Sequence, residues 1–357
     1  MHPWFHPPQR TALAGRLVTA APIPAFGCAS CGGSLSTDAA LGYAARAGWR
    51  LNLQYDAINQ TELRTGSHAA SPAQVVNEPT TGELEHQTIN RCATLGLAYS
   101  PNTDWSFSLL VPSIDRSHSS YTNQTSAPFD NAPLAPSHPS TAQVSGLGDI
   151  RFITVWQGLL PTHNLRLRLG VKLPTGNYGG ANADGTAAIG HHPAAFDRGP
   201  TSLAPSPGNL LDASLQVGTG STDLIIGAFC DQAVSQDFDA FVHAQFQAEL
   251  THRLDQAGQD YRPGNLTTMS FGLRNEANPE VVPQLQVNLT RKSADQGALA
   301  DTPNTAGTIP YLSPGVSLRV AKGAQLHGFI QRPIDSRLDG YQLLPRWTAT
   351  AGLSQVF

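Results

Sequence analysis

Charge is scarce in this chain, cysteine is scarcer, and no long apolar run occurs. Asp, Glu, Lys and Arg together make up 13% of 357 residues, about half the share of an ordinary soluble domain. With a net charge of −4 and 22 lysines and arginines, the chain gives no reason to expect nucleic acid as a partner, because gripping phosphates takes concentrated cations. The absence of any stretch of about eighteen apolar residues excludes a membrane-spanning helix. It does not exclude a membrane barrel, in which lipid-facing and lumen-facing residues alternate and dilute the hydropathy. Four cysteines cannot make a structural zinc site of two matched pairs, since Cys28 and Cys31 are close while Cys92 and Cys230 stand alone. What abounds is Gly (33) and Pro (27), and a turn-rich chain without a long helical pattern points to an all-β protein.

Alternation of period two carries the fold. In Trp49-Arg50-Leu51-Asn52-Leu53-Gln54-Tyr55-Asp56 the odd positions are apolar and the even ones polar. The same parity recurs in Trp105 to Val111, in Leu165 to Leu173 against Arg166, Arg168 and Lys172, and in Phe238 to Phe246 with Phe241 as the exception. It returns in Gln284 to Leu289 and in Trp347, Ala349, Ala351, Leu353 and Phe357. Strands are expected over 42–56, 86–99, 104–113, 147–158, 164–174, 209–234, 237–250, 264–275, 281–292, 309–321, 324–334 and 343–357. The sixth is expected as one long strand, with a bulge at Gly218-Thr219-Gly220-Ser221 and Asp223 on its outward side.

Short turns (Ser100 to Thr103, Leu159 to His163, Ser235-Gln236, Asn275 to Glu280) interleave with long polar loops (Ala57 to Glu85, Ile114 to Gly146, Thr175 to Gly208). That is the outer-membrane pattern, and it predicts an antiparallel transmembrane β-barrel of about twelve strands, with short periplasmic turns and long extracellular loops. With the N-terminus on the periplasmic side, Tyr99, Trp105, Trp156, Phe238 and Phe357 fall at the periplasmic rim. Tyr55, Tyr311 and Trp347 fall near the other rim, where an aromatic girdle is expected. Residues 1–27 read as an atypical signal-like or disordered N-terminus, 28–40 as a periplasmic segment with a CxxC pair, and 41–357 as the barrel.

Four punctuation motifs sit at strand ends: Gly146-Leu147-Gly148-Asp149, Leu173-Pro174-Thr175-Gly176, Gly218-Thr219-Gly220-Ser221 and Leu312-Ser313-Pro314-Gly315. With the terminal Phe357 this set, over roughly residues 40 to 357, resembles the outer-membrane proteins grouped as the MetA-pathway of phenol degradation family. The resemblance implies an outer-membrane barrel carrying small organic solutes. It also implies that Phe357 is a signal for the barrel-assembly machinery, although Gln355 replaces the apolar residue usual two places before the end.

The candidate lumen residues are Arg50, Arg151, Arg166, Arg168, Lys172, His243, Gln245 and Gln247, all on the polar parity of their strands. The basic ladder Arg166, Arg168 and Lys172, with Arg151 on the next strand, favours anionic solutes, unless Asp149, Asp239 and Glu249 neutralise it. Cys28 and Cys31 are a candidate disulfide, weighed against redox, metal and lipidation roles. Gly32 stands where c-type haem attachment needs His. His191-His192 is the only adjacent histidine pair, and neighbours on an extended chain point opposite ways. No metal or cofactor is expected. Asp239 and His243 lie some 13 Å apart along one strand, too far for a catalytic pair, so no catalytic residue is assigned.

Three functions fit the sequence. The first is a cell-outer-membrane channel or transporter for a small-molecule solute, organic or anionic, with the lipid bilayer as its surroundings. The second is a structural or partner-docking barrel without an open pore. The third is a soluble secreted β-sandwich, which alternation alone does not exclude.

Overall fold

The computed structural model describes residues 47–71, 74, 83–123, 140–182, 187–197 and 210–357. The N-terminal segments and the Cys28–Cys31 pair lie outside them. Twelve antiparallel strands close into a barrel. They are β1 (Gly48–Gly66), β2 (Glu83–Ser100), β3 (Trp105–Asn123) and β4, which is Ser140–Leu147 continued by Arg151–Trp156. There follow β5 (Leu165–Lys172), β6 (Ser221–Ala233), β7 (Phe238–His252), β8 (Leu266–Asn275), β9 (Val281–Lys292), β10 (Gly307–Ala321), β11 (Ala324–Pro333) and β12 (Arg337–Val356). Each strand pairs with the next, and β12 returns to β1 from Arg50↔Val356 onward, so no edge is left open.

The barrel is inverted relative to a water-soluble protein. On β1, Arg50, Asn52, Gln54 and Asp56 are buried, while Trp49, Leu51, Leu53 and Tyr55 are 40–50% exposed. Leu95, Leu97, Phe107, Phe152, Leu169, Phe271, Leu285, Ile330 and Leu353 continue the exposed apolar set round the wall. An aliphatic or aromatic side chain left in water forgoes roughly 1.5–3 kcal/mol, so this surface requires acyl chains as its solvent. A β-sandwich would bury the apolar set instead, and that alternative falls. Trp49 meets Tyr99 at 4.8 Å and Trp105 meets Trp156 at 6.0 Å between ring centroids, which forms an aromatic belt at the periplasmic rim.

Several expectations need correction. Much of the expected loops Ala57 to Glu85 and Ile114 to Gly146 is strand, because β1 to β4 run on past the apolar band. Tyr311 does not join the outer girdle: it is buried, on the same inward parity as Ser313 and Ser317. The sixth strand starts at Ser221, not at 209, and Asp223 is buried rather than outward. The glycines at 218 and 220 end an incoming segment and do not bulge a strand.

That incoming segment, between β5 and β6, is the main departure from a plain barrel. Its short strands Tyr178–Ala181 and Ala188–His191 pair as a hairpin. Beyond them Phe196, Leu211, Leu215 and Val217 pack on the inward side chains Cys92, Ile114, Ala142 and Val144 of β2, β3 and β4. The segment therefore folds into the bore and buries its own apolar face against one wall.

Two inward glycines shape the wall beside it. A Cβ on Gly170 would lie 2.4 Å from Ile153 Cδ1, and its absence lets Leu110, Ile153, Val155 and Ile225 cluster across β5. Phe241, the exception to alternation on β7, points inward over Gly272 and stacks on Phe229 at 5.7 Å.

Candidate functional site

Three of the punctuation motifs converge at the root of the inward segment. Asp149, in the break between the two parts of β4, accepts from Gly176 N at 3.0 Å through Oδ1. Its Oδ2 accepts from Thr219 N at 3.0 Å and Thr219 Oγ1 at 2.9 Å. Thr175 Oγ1 donates to Gly148 O at 3.0 Å and accepts from Ile150 N at 2.9 Å. A Cβ on Gly218 would lie 2.7 Å from the Gly176 backbone, so only glycine permits this approach.

Lys172 ties the knot electrostatically. Its Nζ lies 2.9 Å from Asp223 Oδ2 and 3.4 Å from Asp149 Oδ2, and it donates to Thr219 Oγ1 and to Ser221 Oγ at 3.0 Å. Asp223 also accepts from Ser221 Oγ at 2.6 Å and from Gln247 Nε2 at 2.5 Å. All three charged groups are buried, and each charge is offset by hydrogen bonds as well as by its partner.

Arg116 on β3 holds the returning end of the segment, just before the knot. This fully buried guanidinium donates to the carbonyls of Leu215 and, at 3.2 Å, of Gln216, and through Nε to Asn90 Oδ1 at 2.5 Å. Gln216 folds back, donating to Leu211 O at 3.0 Å and accepting from Ala194 N at 2.7 Å. Between segment, knot and the β7–β8 connection lies a cavity of about 70 Å³, lined by Ile114, Arg151, Gln216, Val217, Gln247 and Tyr261 among others.

The sequence-predicted residues divide. Arg151, Arg166, Arg168, Lys172, His243, Gln245 and Gln247 sit on the adjoining inner faces of β4, β5 and β7, while Arg50 is buried apart on β1. Arg166 pairs with Asp231 at 3.2 Å, donates to Gln157 Oε1 at 2.9 Å and lies 5.1 Å over the Phe229 ring. Arg168 donates to Gln245 Oε1 at 3.1 Å and approaches His243 Nε2 at 3.4 Å. The acids that meet the basic ladder are therefore Asp149, Asp223 and Asp231. Glu249 is engaged by Arg262 at 2.7 Å and His252 at 2.9 Å.

In the turn after β8, burial raises the Glu276 carboxyl above the usual carboxylate range, Arg274 opposes the rise and Asp239 adds to it. The chain bends at His192 (φ 49°), which brings its ring to 4.5 Å from that of His191. Among the described residues no three metal-capable side chains gather. Phe357 is 74% exposed, with its amide donating to Trp49 O at 2.9 Å.

Arg116 and Asp231 escaped the sequence reading, and Asp223, expected on the outward side, is buried. Arg116 and His118 continue the inward parity of β3 beyond Ile114, but Asp115 and Ser117 between them are polar too, so no hydropathy contrast marks the strand there.

By topology and by the faces its strands present, the chain is an outer-membrane β-barrel. No family model matches it, and no curated protein matches its sequence. Among solved structures, an outer-membrane channel from Pseudomonas putida F1 is similar with a TM-score of 0.58 and 12% identity, over 88% of this chain and 98% of that one. At that identity the likeness speaks for the fold alone. Looser likenesses are the translocator domain of the autotransporter NalP from Neisseria meningitidis (TM-score 0.48, 8% identity, 87% of this chain and 89% of that one) and the Ralstonia pickettii toluene transporter TbuX (0.42, 11%, 87% and 90%).

Proposed function

We propose that the barrel is a passive channel for small organic solutes, narrowed by the segment between β5 and β6. The observation that carries this reading is the narrow space of about 70 Å³ beside the knot, where Ile114, Val217 and Tyr261 face Arg151, Gln216 and Gln247. That volume has room for a few waters and falls below the roughly 300–1,000 Å³ of small-ligand sites, so the space is a constriction whose few polar groups would orient a passing molecule among apolar walls. Elsewhere in the bore, Asn52, Thr268, Asn288 and Thr348 keep buried polar atoms without a partner among the described residues. Such atoms favour water or a passing solute as their partner.

Charge selection is weak in this reading, because carboxylates engage two rungs of the basic ladder, Lys172 and Arg166; the preference for anions is slight. The three motifs that tie the knot are among those resembling the MetA-pathway of phenol degradation family, which supports kinship with it. A second reading, a partner-docking barrel with a closed bore, draws on the full burial of Arg116, Asn90 and Gln60 inside the wall. Swelling of liposomes that contain the purified barrel separates the two. A channel passes small aromatic alcohols and acids faster than a disaccharide, and a complete lack of swelling with every solute would discard the channel reading.

A further inference from the structure

The lipid-facing wall is not uniform where β12 closes on β1. One outward row, Leu318–Leu326–Leu353–Leu53, runs unbroken across β10, β11, β12 and β1. The next row reads Val316–Gly328–Ala351–Tyr55, and above it Ile330 pairs with Ala349 and Ala349 with Ala57. Small residues in the middle of these rows leave an apolar trough, with Tyr55 and Val316 as its sides and Leu326 and Leu353 at its foot.

The same strands carry a basic pocket at their external ends. A cavity of about 310 Å³ is lined by Arg64 of β1, Arg332 of β11 and Arg346 of β12, with Glu62 and Asp335 beside them. Three guanidiniums thus face two carboxylates: Glu62 lies 3.7 Å from Arg64, and Asp335 Oδ1 accepts from Ser336 N at 2.8 Å, which leaves the pocket with a net positive charge. Arg332 and Arg346 are exposed and make no ion pair among the described residues. Arg332 stands on the outward parity of Ile330, opposite the buried Phe329 and Gln331, so it faces the membrane side. Arg346 is next to Trp347, an aromatic at the level where the apolar band ends.

From Arg346 to Ala351 the strand covers about 17 Å. Allowing for strand tilt, that is roughly the depth of one leaflet of a ~30 Å hydrocarbon core. A phosphate site and an acyl trough thus lie in line, one leaflet deep, on the outer side of an outer-membrane protein. We propose that this seam holds one phosphorylated outer-leaflet glycolipid, its phosphates on Arg332 and Arg346 with Arg64 behind them, and an acyl chain over Gly328 and Ala351. Guanidinium recognises phosphate through paired, charge-assisted hydrogen bonds, and basic pockets on membrane proteins take anionic head groups by the same chemistry.

The test is native mass spectrometry of the full barrel, stripped in detergent and titrated with bisphosphorylated lipid A, dephosphorylated lipid A or phosphatidylglycerol. The wild type is expected to retain one bisphosphorylated molecule in preference to the other two. Arg332→Gln/Arg346→Gln is expected to bind it roughly thirtyfold more weakly, and Gly328→Leu, whose added side chain enters open space, to weaken it by filling the trough. Heat-modifiable migration on gels checks that both variants remain folded. Retention by both variants equal to the wild type would overturn the proposal, as would equal retention of dephosphorylated lipid A or of phosphatidylglycerol.

Discussion

Lys172 is the single residue on which the most of this bore depends. Its ammonium lies against both Asp149 and Asp223 in the knot, with Arg151 the next cation near them, and both carboxylates are buried. Removing one member of such a group leaves the others charged and uncompensated, which typically costs about 3–5 kcal/mol. Lys172→Met keeps the length of the side chain and loses only its charge and donors. Its unfolding in urea, followed in micelles, should show a loss of that size, whereas a loss below about 1 kcal/mol would mean that water already screens the knot. The reverse inference also holds at this scale. The lone Phe241 that breaks the alternation of β7 marks the place where the wall turns apolar inward, over Gly272 and against Phe229.

Among the elements, those inside the apolar band were legible from alternation and those outside it were not. From β7 to β12 the observed spans lie close to the expected ones, because lipid on one side and a polar bore on the other give every strand a contrast between its faces. Above the band both faces are wet, the contrast vanishes, and the upper parts of β1 to β4 read as loops. The segment between β5 and β6 was misread for another reason. Leu211, Leu215 and Val217 recur at short even spacings as strand residues do, yet what they bury against is the interior of the barrel. Its glycines were read as a bulge, though they permit a backbone crossing with Gly176, and sequence does not reveal which segments cross. The hold on the segment is a specific one. Arg116→Met deletes the donors to Leu215 O and Gln216 O and leaves those carbonyls to be satisfied elsewhere. Single-channel records of this variant should flicker between levels that the wild type does not visit; steady wild-type records would show that apolar packing alone fixes the segment.

Taken whole, the molecule is a closed wall whose outside demands lipid and whose inside is partly filled by its own chain. The wall follows from the register, which runs unbroken from β1 round to β12 and back. The filling follows from one connection, tied at its root by Lys172 and Asp149 and, on the returning chain just before that root, by Arg116. If the remaining space is the route of a solute, the connection sets the width of that route. Replacing residues 178–216 with a short Gly-Ser linker spares the knot at Gly176, Gly218 and Thr219 and every strand of the wall. Conductance of this variant and of the wild type in planar bilayers is the most direct measurement. A small unitary conductance in the wild type that rises several-fold in the variant is the expected result. Equal conductance in the two proteins, or none in either, would contradict a path through the barrel gated by this segment.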